Sequence, residues 1–204
     1  MRIEGARCTG AGDYWLSATP SAALNLKLSN KQQGIVVSLR LGAPISLPHK
    51  CSCNPDVSES ATHHLSCRFS AGRHSRHANL NNIVKSAFAA IKIPTVLEPS
   101  GLFRDDGKRP DGMTVTPFQK GKYVVWDATC IDRSAASYRA IASGEGPAAA
   151  RLAEERKERK YSKIGASYEF LPLAFETLGG MGPAVLQLVQ RLSLSIPSDE
   201  RLTY

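Results

Sequence analysis

Apolar residues along the chain follow two periods, and each period predicts an element. From Asn79 onward Leu80, Ile83, Val84, Ala87, Phe88 and Ile91 recur at helical spacing, and Pro94 closes the pattern. A short strand, Thr95 to Glu98, follows. Met113 to Phe118 and Tyr123-Val124-Val125-Trp126 flank Gln119-Lys120-Gly121 and predict a β-hairpin. Pro147 then opens a helix over Ala148 to about Ile164, whose outer face carries Glu155 four residues before Arg159 and Glu154 four before Glu158. Tyr168 to Phe175 alternates like a strand, with Pro172 demanding an edge or a bulge. A last helix from Pro183 lines up Val185, Leu188, Val189 and Leu192. The fold class predicted is α/β (α+β): a mixed central sheet flanked by helices, in the order α-β-β-β-α-β-α.

Ahead of this region the pattern is weaker. Ser29 with Gln32 three residues on makes a capping box, and Gly42 followed by Pro44 makes a stop. Those signals favour a helix over a strand, which the β-branched run Ile35-Val36-Val37 also fits. Residues 48 to 67, PHKCSCNPDVSESATHHLSC, carry turn residues and neither period, so something other than an apolar core must order them.

Composition adds a partner class. The 204 residues are 42% hydrophobic, enough for one core with a small satellite. Lys and Arg number 26 against 18 Asp and Glu, and the net charge of +8 favours a polyanion such as nucleic acid or an acidic membrane face. No stretch reads as a membrane span or a secretory signal, which predicts an intracellular protein with no membrane partner.

The unordered stretch has its own chemistry. Cys51, Cys53, His63 and Cys67 offer three sulfurs and a nitrogen, a set that suits one structural zinc better than a disulfide framework and predicts a small zinc-knuckle module before the sheet domain. His63 is preferred to His64 because the longer spacing to Cys67 wraps one ion more easily. Cys8 and Cys130 read as free thiols. Arg68, then Arg73, His74, Arg76 and His77, form a basic turn before the Asn79 helix that suits phosphate contacts.

In the hairpin, Arg109-Pro110-Asp111 and Trp126-Asp127-Ala128-Thr129 place two acids where the strands meet. Two carboxylates and a backbone carbonyl hold Mg²⁺, which activates water and stabilises charge on a phosphate. Glu98 ends the preceding strand and is a candidate third acid. The following helix is dense in cations: Arg151, Arg156, Lys157, Arg159, Lys160 and Lys163.

The combination of THHLSC, GRHSRHANLNNIV, LEPSGLFRDDGKRPDGMTV, YVVWDATCID and RKYSKI resembles the restriction-enzyme-like endonuclease region of non-LTR retrotransposon reverse transcriptase polyproteins, within the PD-(D/E)xK nuclease superfamily. The resemblance implies a connecting segment at 1–47 downstream of a reverse transcriptase, a zinc knuckle at 48–68, a nuclease domain at 69–196 and a tail at 197–204. It implies Asp111 and Asp127 as acids for Mg²⁺ or Mn²⁺, with Glu98 as helper and the knuckle ligands as above. It implies a nuclear enzyme that nicks target DNA to prime reverse transcription, with Lys108 and Arg109 joining the basic turn on DNA and the element's RNA as a further partner. The family pattern calls for a Lys two residues after the second acid, where this chain has Thr129. Lys160, from the neighbouring helix, is the expected replacement, ahead of Lys157 and Lys163. The alternative is a remnant that binds nucleic acid without cutting it.

Overall fold

The computed structural model describes residues 27–100, 109–132, 135, 138, 148–162 and 164–196. These residues hold five helices and six strands in a mixed α/β arrangement. The chain divides into two compact units, one comprising Met1–Arg73, Ile131–Ala149 and Glu176–Met181, the other His74–Cys130, Ala150–Phe175 and Gly182–Tyr204.

In the first unit, helix α1 (Asn30–Leu41) starts where the capping box stands. The Ser29 hydroxyl accepts the Gln32 N–H, and the Gln32 side chain accepts the Ser29 N–H. Gly42 ends the helix in the left-handed region at φ 75°. With both ends capped, the β-branched run is carried inside a helix. Beyond it, β1 (His49–Lys50) and β2 (Asp56–Val57) form a two-residue antiparallel ladder, and α2 (His63–Ser66) is a single turn.

The second unit carries most of α3 (Gly72–Ala90). This helix begins at Gly72 and not at Asn79, so the expected basic turn is its first turns. Arg73 to Ala78 contain no Pro or Gly to stop a helix, and being polar they left no periodic trace. Next come β3 (Thr95–Leu97), β4 (Gly112–Thr114) and β5 (Tyr123–Ile131), then α4 (Ala148–Lys160), β6 (Tyr168–Glu176) and α5 (Pro183–Ser195).

One sheet runs β3-β4-β5-β6. The first two pairings are antiparallel. Between β5 and β6, Tyr123 N donates to Ser167 O at the two starts and Thr177 N to Ile131 O at the two ends, so this pair is parallel and the sheet is mixed. β6 is an edge strand, which accommodates Pro172.

Two expected element ends move, and one residue expected on an outer face turns inward. β4 stops at Thr114, not at Phe118, because the Thr114 hydroxyl takes the Val124 N–H and Pro117 has none to offer. α4 stops at Lys160, where Tyr161 turns in to stack on Phe170 with centroids 4.3 Å apart. Glu154 is buried, not on the outer face, and accepts the Ala184 N–H at the start of α5.

The core of this unit centres on Trp126 and Phe88, both fully buried and stacked at 5.7 Å, with Phe118 edge-on to Phe88. Gly112 lies under the indole, where an added Cβ would sit 2.0 Å from a Trp126 ring carbon. Arg191 of α5 makes a two-pronged 2.7 Å pair with Glu169 and also donates to Gln119. It thereby ties α5 to β6 and to the hairpin turn. That turn has Lys120 and Gly121 both at positive φ, 52° and 68°, the two-residue form that matches strand twist.

Candidate functional site

Asp111 stands just before β4. Its N–H donates to Trp126 O while Gly112 is also opposite Trp126, the two-against-one count of a β-bulge that re-aims the side chain. The Oδ2 atom accepts the Ala128 N–H at 2.6 Å and faces His77 Nε2 at 3.0 Å. Burial pushes the Asp111 carboxyl above its ordinary range, and the Asp127 charge pushes it further. His77, the Ala128 N–H and Lys157 oppose that rise. The two acids are therefore within electrostatic reach of one another.

Asp127 follows Trp126 on β5, so it faces the sheet's other side, where α4 lies. It is 6% exposed. Lys157 is seated on its Oδ1, and Lys160 Nζ is 3.6 Å from Oδ2. Three residues apart on a helix, these lysines share a face. Lys157 is the closer and more buried of the two, so both candidates from the sequence reach the acid. Lys163 lies outside the described residues.

Glu98 donates its N–H to Asp111 O and is held at φ 48°, a left-handed conformation that costs a non-glycine residue about 1 kcal/mol or more. Its carboxylate is exposed, with no bond among the described residues. Thr129 is on β5. Arg73, His74 and Arg76 lie on the first turns of α3, Arg109 is exposed beside Pro110, and Arg68 stacks its guanidinium 4.8 Å from the exposed Phe69 ring. Lys108 lies outside the described residues. His77, grouped with the basic turn in sequence, instead reaches the acid. Its spacing of four from the buried Asn81 was the available signal.

In the other unit a second site forms. The β1-β2 turn carries Cys51 and Cys53, and α2 leads from His63 to Cys67, four residues apart on one helical face. Sulfurs of Cys51 and Cys67, and of Cys67 and Cys53, are 3.6 Å apart, and Cys53 Sγ is 3.1 Å from His63 Nε2. Two sulfurs on a tetrahedron of 2.3 Å zinc bonds are about 3.8 Å apart. All four donor atoms lie within 4.8 Å of each other, so the cluster can hold a metal ion and its donors suit zinc. Desolvation, with Cys51 and Cys67 alongside, pushes the Cys53 thiol up to about 11, whereas the Cys53 N–H draws Cys51 down. His64 turns away and places Nε2 2.8 Å from His49 Nε2.

No protein-family model and no curated protein matches this chain. Among the described residues no helix is long and apolar enough to cross a membrane.

Proposed function

We propose that the chain is a metal-dependent DNA endonuclease domain of non-LTR retrotransposon type, which nicks target DNA so that the free 3′ end primes reverse transcription. The observation that carries this reading is the seating of Lys157 and Lys160 on Asp127, with Asp111 in electrostatic reach. Carboxylates beside lysines on a sheet are the parts that phosphodiester hydrolysis needs, and Lys157 and Lys160 supply from the helix the cation that Thr129 does not. The acid pair fits Mg²⁺ or Mn²⁺ by donor type, with hard, partly buried carboxylate oxygens, although Asp127 is already paired with Lys157 and Lys160. The Cys51-Cys53-His63-Cys67 set is the only group of three or more donors this tight among the described residues, so Asp111 and Asp127 would supply two protein ligands to a cation at the acids.

The chemistry a bound Mg²⁺ or Mn²⁺ supplies there is activation of water and neutralisation of charge on the phosphate. Asp111 and Asp127 bind it, the Ala128 N–H holds Asp111 in place, and the Lys157 and Lys160 ammoniums face the anion. The Cys/His cluster acts as a zinc knuckle. With Arg68, Arg73, His74, Arg76 and Arg109 it contributes sequence-independent grip on DNA. The parent polyprotein carries the reverse transcriptase, and the site of action is the nucleus.

Plasmid nicking in Mg²⁺ or Mn²⁺ tests this. Wild type should nick, and Asp111→Ala and Asp127→Ala should each fall at least about 100-fold. Salt-sensitive DNA binding with no nicking by any of the three supports instead the binding remnant, which Thr129 favours.

A further inference from the structure

Trp126, Asn81, His77 and Asp111 form one chain of hydrogen bonds, and the donor at its buried end decides the direction of every later link. The Trp126 indole N–H is donor only and reaches Asn81 Oδ1 at 3.1 Å. The Asn81 amide is therefore oriented with Nδ2 on the other side, 3.5 Å from His77 Nδ1. An amide nitrogen can only donate, so His77 Nδ1 accepts with its lone pair. With Nδ1 accepting, the ring proton is on Nε2, 3.0 Å from Asp111 Oδ2. The opposite tautomer would set an N–H against the Asn81 amide protons and a lone pair against a carboxylate.

We infer that His77 is a positioning residue: its Nε2–H, fixed by Asn81 and Trp126, orients the Asp111 carboxylate for a divalent cation. Oδ2 already receives the Ala128 N–H at 2.6 Å as well as His77, so among the described residues both bonds fall on one oxygen, which leaves Oδ1 for the metal. His77 acts through Asp111, because the nitrogen that faces the carboxylate carries the proton. Asn81 is 6% exposed and Trp126 fully buried, so the relay is anchored in the core. Outer partners of this kind govern metal affinity by about 10- to 100-fold. This inference rests on the reading of Asp111 and Asp127 as cation ligands.

Its test uses the zinc-loaded full chain. Imidazole ¹⁵N spectroscopy without added Mn²⁺ should show His77 with protonated Nε2 and bare Nδ1, and Asn81→Leu should mix the tautomers. A protonated Nδ1 in wild type overturns the inference. Mn²⁺ titration followed by electron paramagnetic resonance should then show His77→Ala weakened about tenfold or more, with His77→Gln, which keeps a donor at similar reach, largely restored. Unchanged Mn²⁺ affinity in His77→Ala, beside a large loss in Asp111→Asn and Asp127→Asn, overturns the role of His77 and leaves the metal site standing. If Asp111→Asn also binds Mn²⁺ as wild type does, the metal reading falls and the role of His77 with it.

Discussion

Lys157 is seated on Oδ1 of Asp127, one helical turn before Lys160, which stands 3.6 Å from Oδ2. The two lysines are unequal: Lys157 is 19% exposed and Lys160 36%, so water screens Lys160 more. In the proposed nuclease Lys157→Ala should lower nicking about 100-fold and Lys160→Ala about tenfold or less, since a desolvated cation contributes more to transition-state charge. Single-turnover rates at saturating Mg²⁺ would measure this. The reverse ranking would make Lys160 the principal cation.

Gly112 exists for Trp126. A Cβ at this position would overlap the ring at 2.0 Å, and the ring is fully buried, stacked on Phe88 and fixed at its N–H by Asn81. Gly112→Ala should destabilise the second unit by about 3 kcal/mol, as expected for overpacking a rigid core. Urea unfolding with Trp fluorescence should show the midpoint falling. An unchanged midpoint would mean that the sheet slides freely at this point.

How much of this was legible in the sequence depended on whether a residue spoke through local pattern. The α1 capping box, the Lys120-Gly121 turn, the Cys/His cluster and the two hairpin acids all follow from spacings of a few residues. His77 did not show itself. The first turns of α3 are polar, so apolar periodicity starts the helix at Asn79 with His77 in a basic turn, whereas a helix from Gly72 aims it with Asn81 at Asp111. Lys157 and Lys160 are both on the helix, and only packing ranks them. The need for Gly112 depends on a Trp fourteen positions away, a relation that appears only once the strands are paired.

His63 and His64 separate cleanly by metal content. His63 Nε2 lies with the sulfurs, whereas His64 Nε2 is engaged by His49. Wild type should purify with one zinc per chain by elemental analysis, His64→Ala should keep it, and His63→Ala and Cys67→Ser should lose it. Two-residue strands and a one-turn helix bury little apolar surface, so a strong chelator should also unfold this module. Retained zinc in His63→Ala would shift the fourth ligand to His64.

Glu154 makes stability depend on pH in a direction opposite to most carboxylates. It is 5% exposed, its Oε2 accepts the Ala184 N–H at 3.2 Å, and its Oε1 is buried without a partner among the described residues. Burial raises its carboxyl from 4.5 to about 7, outweighing the Ala184, Ala174 and Val185 N–H groups that pull it down; nearby Glu158 adds to the rise. Between those two pH values the folded chain keeps a proton that the unfolded chain has released, so this group's contribution to stability falls as pH rises from about 4.5 through about 7. Glu154→Gln keeps an oxygen for Ala184 and carries no charge at any pH. It should be close to wild type at pH 5 and more stable than wild type at pH 8, read from urea midpoints. Gly182 must stay glycine for the same contact, because a Cβ there would lie 1.9 Å from Oε1. A Glu154→Gln effect of equal size at both pH values would mean that the carboxylate is solvated and ionised throughout, and that α4 and α5 meet more loosely than the Ala184 bond implies.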